Sequence, residues 1–415
     1  MYRLENPVRN YPWGSHTLIA SLLGYQPPAD PEAEMWIGAH PSAPSVVVSG
    51  LEPDTSMGLD KLIAANATEL LGSELATQGT SLPFLVKLLA ADKPLSIQVH
   101  PSAAQAAAGF DAENAAGIPV DAPYRNYRDA AHKPEMIYAL SDFAALSGFR
   151  EASEISGIFA RLLPSLSGVA AGQCSQIIEM LDGEQPLRTV FSHLLGGASG
   201  LTELTSEAIA AVESDATLRE HPALAELPSL HIHYPNDAGI LVSLMLNLVQ
   251  LAPGESIYLG AGNIHAYLRG LGVEVMANSD NVLRGGLTGK HIDLPELLRI
   301  TKFESQQVPL LAPTTTMFGQ EVFEPPFDEF QLQHIELPET DDANDMADAD
   351  VAIAANGPVV MVCVAGQMVI DTPRGDLLLR RGESVFIGAS EAPAMARRSV
   401  GSGARAFAVT VPPRV

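Results

Sequence analysis

Short apolar runs punctuated by Gly and Pro fill residues 1–150 and 229–415, a rhythm that predicts many short strands. Residues 84–89 and 95–100 are two such runs, with Ala91-Asp92-Lys93-Pro94 as the turn between them. In the second run Gln98 and His100 stand two apart, so extended backbone sends both side chains to one face. The period changes in the middle of the chain. Ile155, Ile158, Phe159, Leu162 and Leu163 recur at three- and four-residue steps and predict an amphipathic helix that ends before Pro164. Helical spacing returns at 177–181 and 190–195. Three units follow: a strand-rich part over 1–150, a helical domain over 151–228, and a strand-rich remainder over 229–415. The expected fold class is therefore mainly β with a helical insertion. The helical block lacks clustered His, Asp or Arg, so its expected role is packing.

Four polar residues on three separated segments change the picture from scaffold to chemistry. They are Gln98 and His100, Glu135 in His132-Lys133-Pro134-Glu135-Met136, and His265 in Asn263-Ile264-His265-Ala266-Tyr267. Two imidazoles, a carboxylate and an amide oxygen form a mixed N/O donor set without thiolate, suited to zinc or another borderline divalent ion. Each residue alone has a plainer reading. A strand histidine is most often a hydrogen-bonded core residue, and Glu135 can simply pair with Lys133.

The chain also echoes itself. Pro253-Gly254-Glu255-Ser256-Ile257-Tyr258-Leu259-Gly260-Ala261 matches Arg381-Gly382-Glu383-Ser384-Val385-Phe386-Ile387-Gly388-Ala389. Carried on without gaps, His265 falls opposite Pro393. Two related barrels are implied, one keeping a ligand and one lacking it.

Charge and composition narrow the partners. Lys plus Arg number 24 against 49 Asp plus Glu, a formal charge of −25 that disfavours nucleic acid and acidic membranes. An anionic substrate then needs a local cation cluster to reverse that field. Part of the acid excess, seven acids and no base, sits in residues 336–350, which read as a solvated loop. No apolar stretch is long enough to span a bilayer, and the first residues lack a signal-peptide pattern. Cys174 and Cys363 have no metal-site spacing and read as buried, reduced thiols, which points to the cytoplasm.

Several longer motifs carry a family resemblance. They include Tyr11-Pro12-Trp13-Gly14-Ser15, residues 34–45 (EMWIGAHPSAPS), residues 94–101 (PLSIQVHP), residues 132–136 (HKPEM), His265-Ala266-Tyr267-Leu268 and residues 273–288 (VEVMANSDNVLRGGLT). Together and in this order they resemble the type I mannose-6-phosphate isomerases. The resemblance implies two cupin-type (jelly-roll) barrels with an α-helical domain. It also implies one zinc per chain on Gln98, His100, Glu135 and His265, and interconversion of mannose 6-phosphate and fructose 6-phosphate. Ala131 and Arg269 are departures that remove no ligand; Arg269 is free to point toward solvent or toward phosphate.

That reaction needs a base near neutral pKa, an electrophile for the developing oxyanion and an anchor for phosphate. Arg284 resembles the family's active-site arginine, suited to an enediolate or a phosphate. Glu274, Lys133 and His132 are further catalytic candidates. Ser96 and Lys290, with Arg284, are expected at the phosphate, Asp280 in the substrate cleft, and Trp13 against the sugar. The expected partner is a small sugar phosphate bound by a monomer. A cupin isomerase of another sugar and a non-catalytic sugar-phosphate sensor remain as alternatives.

Overall fold

The computed structural model describes residues 1–48, 56–316, 320–339, 350–399 and 403–413. Among these residues the strands form two antiparallel sheets, one of ten strands and one of twelve, with helices between Ala152 and Ser243 packed against the first. The chain is thus mainly β with a helical layer.

The thirteen-residue strand His265–Ala277 is the spine of the ten-stranded sheet. It pairs along its length with Phe84–Ala91, Glu135–Ala139 and Phe143–Phe149. At its start His265 lies opposite Gln98, and Gln98 lies opposite Arg284 on the next strand. Three short pieces far apart in sequence are therefore stitched side by side.

Alternation decides which residues reach the site. Ile97, Val99, Ile264, Ala266 and Leu283 are buried in one apolar cluster with Ile155, Phe159, Phe191 and Leu241 of the helical layer. Their sequence neighbours Gln98, His100, His265 and Arg284 consequently face the other way. Each Leu or Ile buried against the helices contributes about 1.5–3 kcal/mol, and a one-residue slip would send these apolar groups to the polar face. The helical layer thereby enforces the register.

The helices begin as the spacing predicts: Ala152–Leu162 has Ile155, Ile158, Phe159 and Leu162 buried, and Gly168–Leu181 and Pro186–Leu195 follow. They also run past residue 228, through Leu227–His233 and Gly239–Ser243, before the strand Leu246–Leu251. Local apolar density hides those short helices. Tyr2–Glu5 pairs with Ser384–Ile387, so the first and last parts of the chain share the twelve-stranded sheet.

The internal echo is structural. Gly254 and Gly382 both have positive φ, at 98° and 86°. Glu255 accepts from the Ala252 amide at 2.8 Å, and Glu383 accepts from the Arg380 amide at 2.8 Å. The strand after the first turn pairs Leu259 with Glu135, and the strand after the second pairs Ile387 with Val359. Val359 therefore stands where Glu135 does, as Pro393 stands opposite His265. The second copy has apolar residues at two of the donor positions, and Val359, Met361 and Cys363 are buried in an apolar cluster.

Cys174 and Cys363 are buried and free. Glu336 belongs to the strand Gln331–Leu337 and faces Arg405, so the acidic loop starts later than residue 336; residues 340–349 lie outside the described residues. No helix among the described residues is long and apolar enough to cross a membrane.

Candidate metal centre

His100, Glu135 and His265 converge, with ligand atoms all within 4.8 Å of one another and all three residues buried. The His100 Nε2 is 3.3 Å from Glu135 Oε1, and the His265 Nε2 is 3.3 Å from Glu135 Oε2. The other ring nitrogens are held by backbone carbonyls: His100 Nδ1 by Asn281 at 2.8 Å and His265 Nδ1 by Asn263 at 3.1 Å. A carbonyl only accepts, so each Nδ1 carries the proton and each Nε2 presents a lone pair to the centre.

Both Nε2 atoms and Glu135 Oε2 are buried without a hydrogen-bond partner. Orphaned donors of this kind are costly unless something electropositive sits between them. Burial pushes the His100 pKa down to about 4, keeping the imidazole neutral as a ligand must be. Burial alone would raise the Glu135 pKa, but the Lys133 ammonium, whose Nζ lies 2.8 Å from Oε1, holds the carboxyl well below its usual range. The donor set fits a divalent N/O-seeking cation such as zinc. Gln98 is half-buried and shares the face and the ladder position beside His265.

Asn281 organises this centre from behind. Its fully buried amide oxygen accepts from the Arg128 and Asp129 amides, and its nitrogen donates to Asp129 and Ala131 carbonyls. Its own carbonyl is the one that fixes His100.

A second layer of charge lies along the same strands. Lys87 is buried between Glu274, at 2.9 Å, and Glu34, at 3.3 Å. Burial would lower the Lys87 pKa, yet the Glu274, Glu34 and Glu135 carboxylates outweigh it and raise the value. Burial raises the Glu274 pKa, Lys87 opposes that, and the neighbouring carboxylates add to it. Glu274 is therefore held in a buried charge network with Lys87 and Glu34. A lysine inside the apolar run Phe84-Leu85-Val86-Lys87-Leu88-Leu89 was the sequence signal for this group, and the expected site residues did not include it.

Next to the centre opens a cavity of about 640 Å³, lined among others by Tyr11, Arg128, Asp280, Arg284, Lys290 and His291. Neighbouring strands are about 4.8 Å apart, so the Arg284 backbone lies about 10 Å from that of His265, two ladder positions away. Arg128, Arg284 and Lys290 make no ion pair among the described residues. Burial and the Arg128 charge lower the Arg284 pKa, and burial with both arginines lowers that of Lys290. Three cations this close make a locally positive pocket in an acidic chain.

The remaining expected residues divide. Asp280 lines the cavity, with its carboxylate 3.7 Å from the buried His40. His132 is half-exposed, and its Nε2 is held by Glu329; that hydrogen bond, against burial, raises its pKa. Ser96 and Trp13 are not among the residues lining the cavity. Trp13 stacks on Tyr11, with ring centres 5.7 Å apart, and it is Tyr11 that reaches the pocket. Arg269 points away toward the helical layer, with both terminal nitrogens on Glu226 at 2.8 Å. Arg128 and Tyr11, like Lys87, were not singled out in advance, because nothing local marks which loop residues fold over a cleft.

The comparisons with known proteins agree with this geometry. Residues 1–152 match the family described as phosphomannose isomerase type I, catalytic domain. The mannose-6-phosphate isomerase of Salmonella typhimurium is 38% identical over 395 residues, covering 95% of this chain and 96% of the relative. The chain belongs to the type I phosphomannose isomerases. Within this family, the human mannose-6-phosphate isomerase is 30% identical, with 94% of each chain covered. A solved single-residue variant of the Salmonella typhimurium phosphomannose isomerase superposes with a TM-score of 0.86 at 36% identity, over 99% of both chains. A mannose 6-phosphate isomerase solved with zinc bound gives the same TM-score, identity and coverage.

Proposed function

We propose that this chain is a zinc-dependent aldose–ketose isomerase that interconverts D-mannose 6-phosphate and D-fructose 6-phosphate through an enediol. The observation that carries the reading is the trio of buried, unpartnered donor atoms on His100, Glu135 and His265 beside a cavity holding three unpaired cations. Gln98 is proposed as the fourth ligand. When bound, zinc supplies a Lewis acid that polarises the sugar's oxygens.

The chain's own residues do the rest. Arg284, Lys290 and Arg128 bind the phosphate and orient the sugar with its reacting carbons toward the metal centre. Tyr11 offers its ring to the sugar's apolar face. Proton transfer from carbon 2 to carbon 1 is assigned to His132: Glu329 holds its Nε2, which leaves Nδ1 to exchange the proton. Its raised pKa brings it closer to neutrality, where a general base works best. Lys133 stabilises the ionised Glu135, and Glu274 with Lys87 supplies fixed charge beneath the site. Asp280 is proposed as a substrate contact at the cavity wall.

The same reading assigns the two sheets to a pair of cupin-type barrels, only the first keeping its donors, with the helical layer as a third unit. The chain is proposed to act as a monomer. A phosphorylated sugar and two free thiols suit the cytoplasm. The test is a coupled isomerase assay on chelated and zinc-reconstituted protein, with free mannose run in parallel. Activity is expected to vanish on chelation, return with about one zinc per chain and require the phosphate. Full turnover in verified metal-free protein, or a preference for free mannose, would sink the proposal.

A further inference from the structure

The loop that joins Arg284 to Lys290 follows a backbone path that Leu287 disfavours. Gly286 has φ +124°, and Leu287, a bulky residue, has φ +51°. Residues with a β-carbon rarely adopt this left-handed region unless surrounding bonds over-determine it. Here one carboxylate supplies the bonds on the side facing the helices. Asp237 Oδ1 accepts from the amides of Leu287 and Gly239, each at 2.7 Å, and Oδ2 accepts from the Thr288 amide at 3.1 Å. The Thr288 hydroxyl in turn accepts from the Lys290 amide at 3.1 Å.

Asp237 is not part of the sheet. It sits between the helices Leu227–His233 and Gly239–Ser243, and the Tyr234 hydroxyl ties this turn to the Pro94 carbonyl at 2.7 Å. Contact between turn and loop is backbone to backbone: a β-carbon on Gly239 would lie 2.4 Å from the Leu287 nitrogen. On the opposite side the Ile97 amide donates to Gly286 and the Gly285 amide to Ile97, at 3.0 and 2.8 Å. The loop is thus gripped between the strand leading to Gln98 and a single helical-layer carboxylate.

We propose that Asp237 is a positioning residue for substrate: it clamps residues 285–290 so that Arg284 and Lys290 hold one arrangement toward the phosphate. The inference rests on the phosphate site proposed above. It gives the helical layer a part in binding, where its composition promised only packing. A carboxylate is required because both oxygens must accept. An amide at this position would turn an N–H toward the Thr288 N–H.

The test uses the zinc-loaded full-length chain carrying Asp237→Asn or Asp237→Ala, the first being the milder change should the second fold poorly. Steady-state kinetics on mannose 6-phosphate are read together with hydrogen exchange of the 285–291 segment. If the clamped arrangement drops to about a tenth of molecules in Asp237→Ala, KM rises roughly tenfold while kcat stays within about twofold. Asp237→Asn gives a smaller rise, zinc content is unchanged, and exchange at Leu287 and Thr288 quickens in both. Unaltered KM and exchange overturn the proposal. So does a fall in kcat and zinc content with KM unchanged, which would mark a purely structural role. Exchange needs no substrate: a wild-type protein inactive on mannose 6-phosphate would refute the proposed function, leaving exchange alone to decide the clamp.

Discussion

Replacing Lys87 by Met should be among the most damaging single changes outside the metal centre. The ammonium lies 2.9 Å from Glu274 and 3.3 Å from Glu34, with both carboxylates and the lysine buried. At an effective dielectric near 20 each contact is worth about 5–6 kcal/mol of Coulomb attraction, offset by several kcal/mol of desolvation per ion. Methionine keeps the volume and removes the charge, stranding two buried carboxylates near a third, Glu135. Breaking such a pair from one side costs about 3–5 kcal/mol, or roughly two to four powers of ten in the folding equilibrium.

The pH dependence has a definite sign. Lys87 has a raised pKa, so its contribution is complete below about pH 10.5 and does not vary between pH 5.5 and 8. Glu274 has a pKa raised by burial even with Lys87 beside it, and losing Lys87 raises it further. A carboxyl with a raised folded pKa binds its proton more tightly when folded, so stability falls as pH climbs through that range. The variant's deficit should therefore be larger at pH 8 than at pH 5.5, because acidification favours the protonated form of Glu274. Urea unfolding of both proteins at the two pH values, with the wild-type change subtracted, measures it. A deficit under about 1 kcal/mol at pH 8, or one that grows on acidification, would refute the reasoning.

Three further outcomes are expected. Asn281→Ala removes a buried amide whose partners surround the His100 ligand; zinc affinity should drop about 10- to 100-fold in a competitive chelator titration, and intact affinity would contradict the second-layer role. Glu329→Gln replaces the carboxylate that raises the His132 pKa by a neutral amide, so the stabilising contribution, present below about pH 6.5 and lost as pH rises through the folded value, should shrink. The Glu329→Gln variant's melting temperature should then fall more at pH 5.5 than at pH 8.5, and its acid limb of kcat should move to lower pH; an unchanged profile would remove His132 from proton transfer. Arg128→Ala should raise KM for mannose 6-phosphate about tenfold, in line with one lost charged contact, and equal KM values would take Arg128 out of the phosphate site.

Much of the site was legible because period-two alternation is a local property. Gln98 and His100 share a face for the same reason that Ile97 and Val99 share the opposite one. The echoed Gly-Glu-Ser turns were readable because a glycine with positive φ and a glutamate three residues after its amide partner repeat in both copies. Trp13, Ser96 and Arg269 were harder. Each sits in a motif or beside one, but whether it faces the cleft depends on neighbours supplied by other segments: Tyr11 covers Trp13, and Glu226 captures Arg269.

By itself the sequence determined the mainly β class, the helical interruption, the donor residues and the family, since these rest on local periodicity, residue chemistry and motif order. Tertiary structure decided which donors meet. Glu135 reaches the two histidines because its strand is registered against Leu259 on one side and Met276 on the other, pairings spanning more than a hundred residues. It also placed Lys87 between two glutamates, Arg128 beside Arg284, and Asp237 against the amides of Leu287 and Thr288. No local pattern encodes these meetings, because each is set by ladder register and by how the helical layer buries its apolar face.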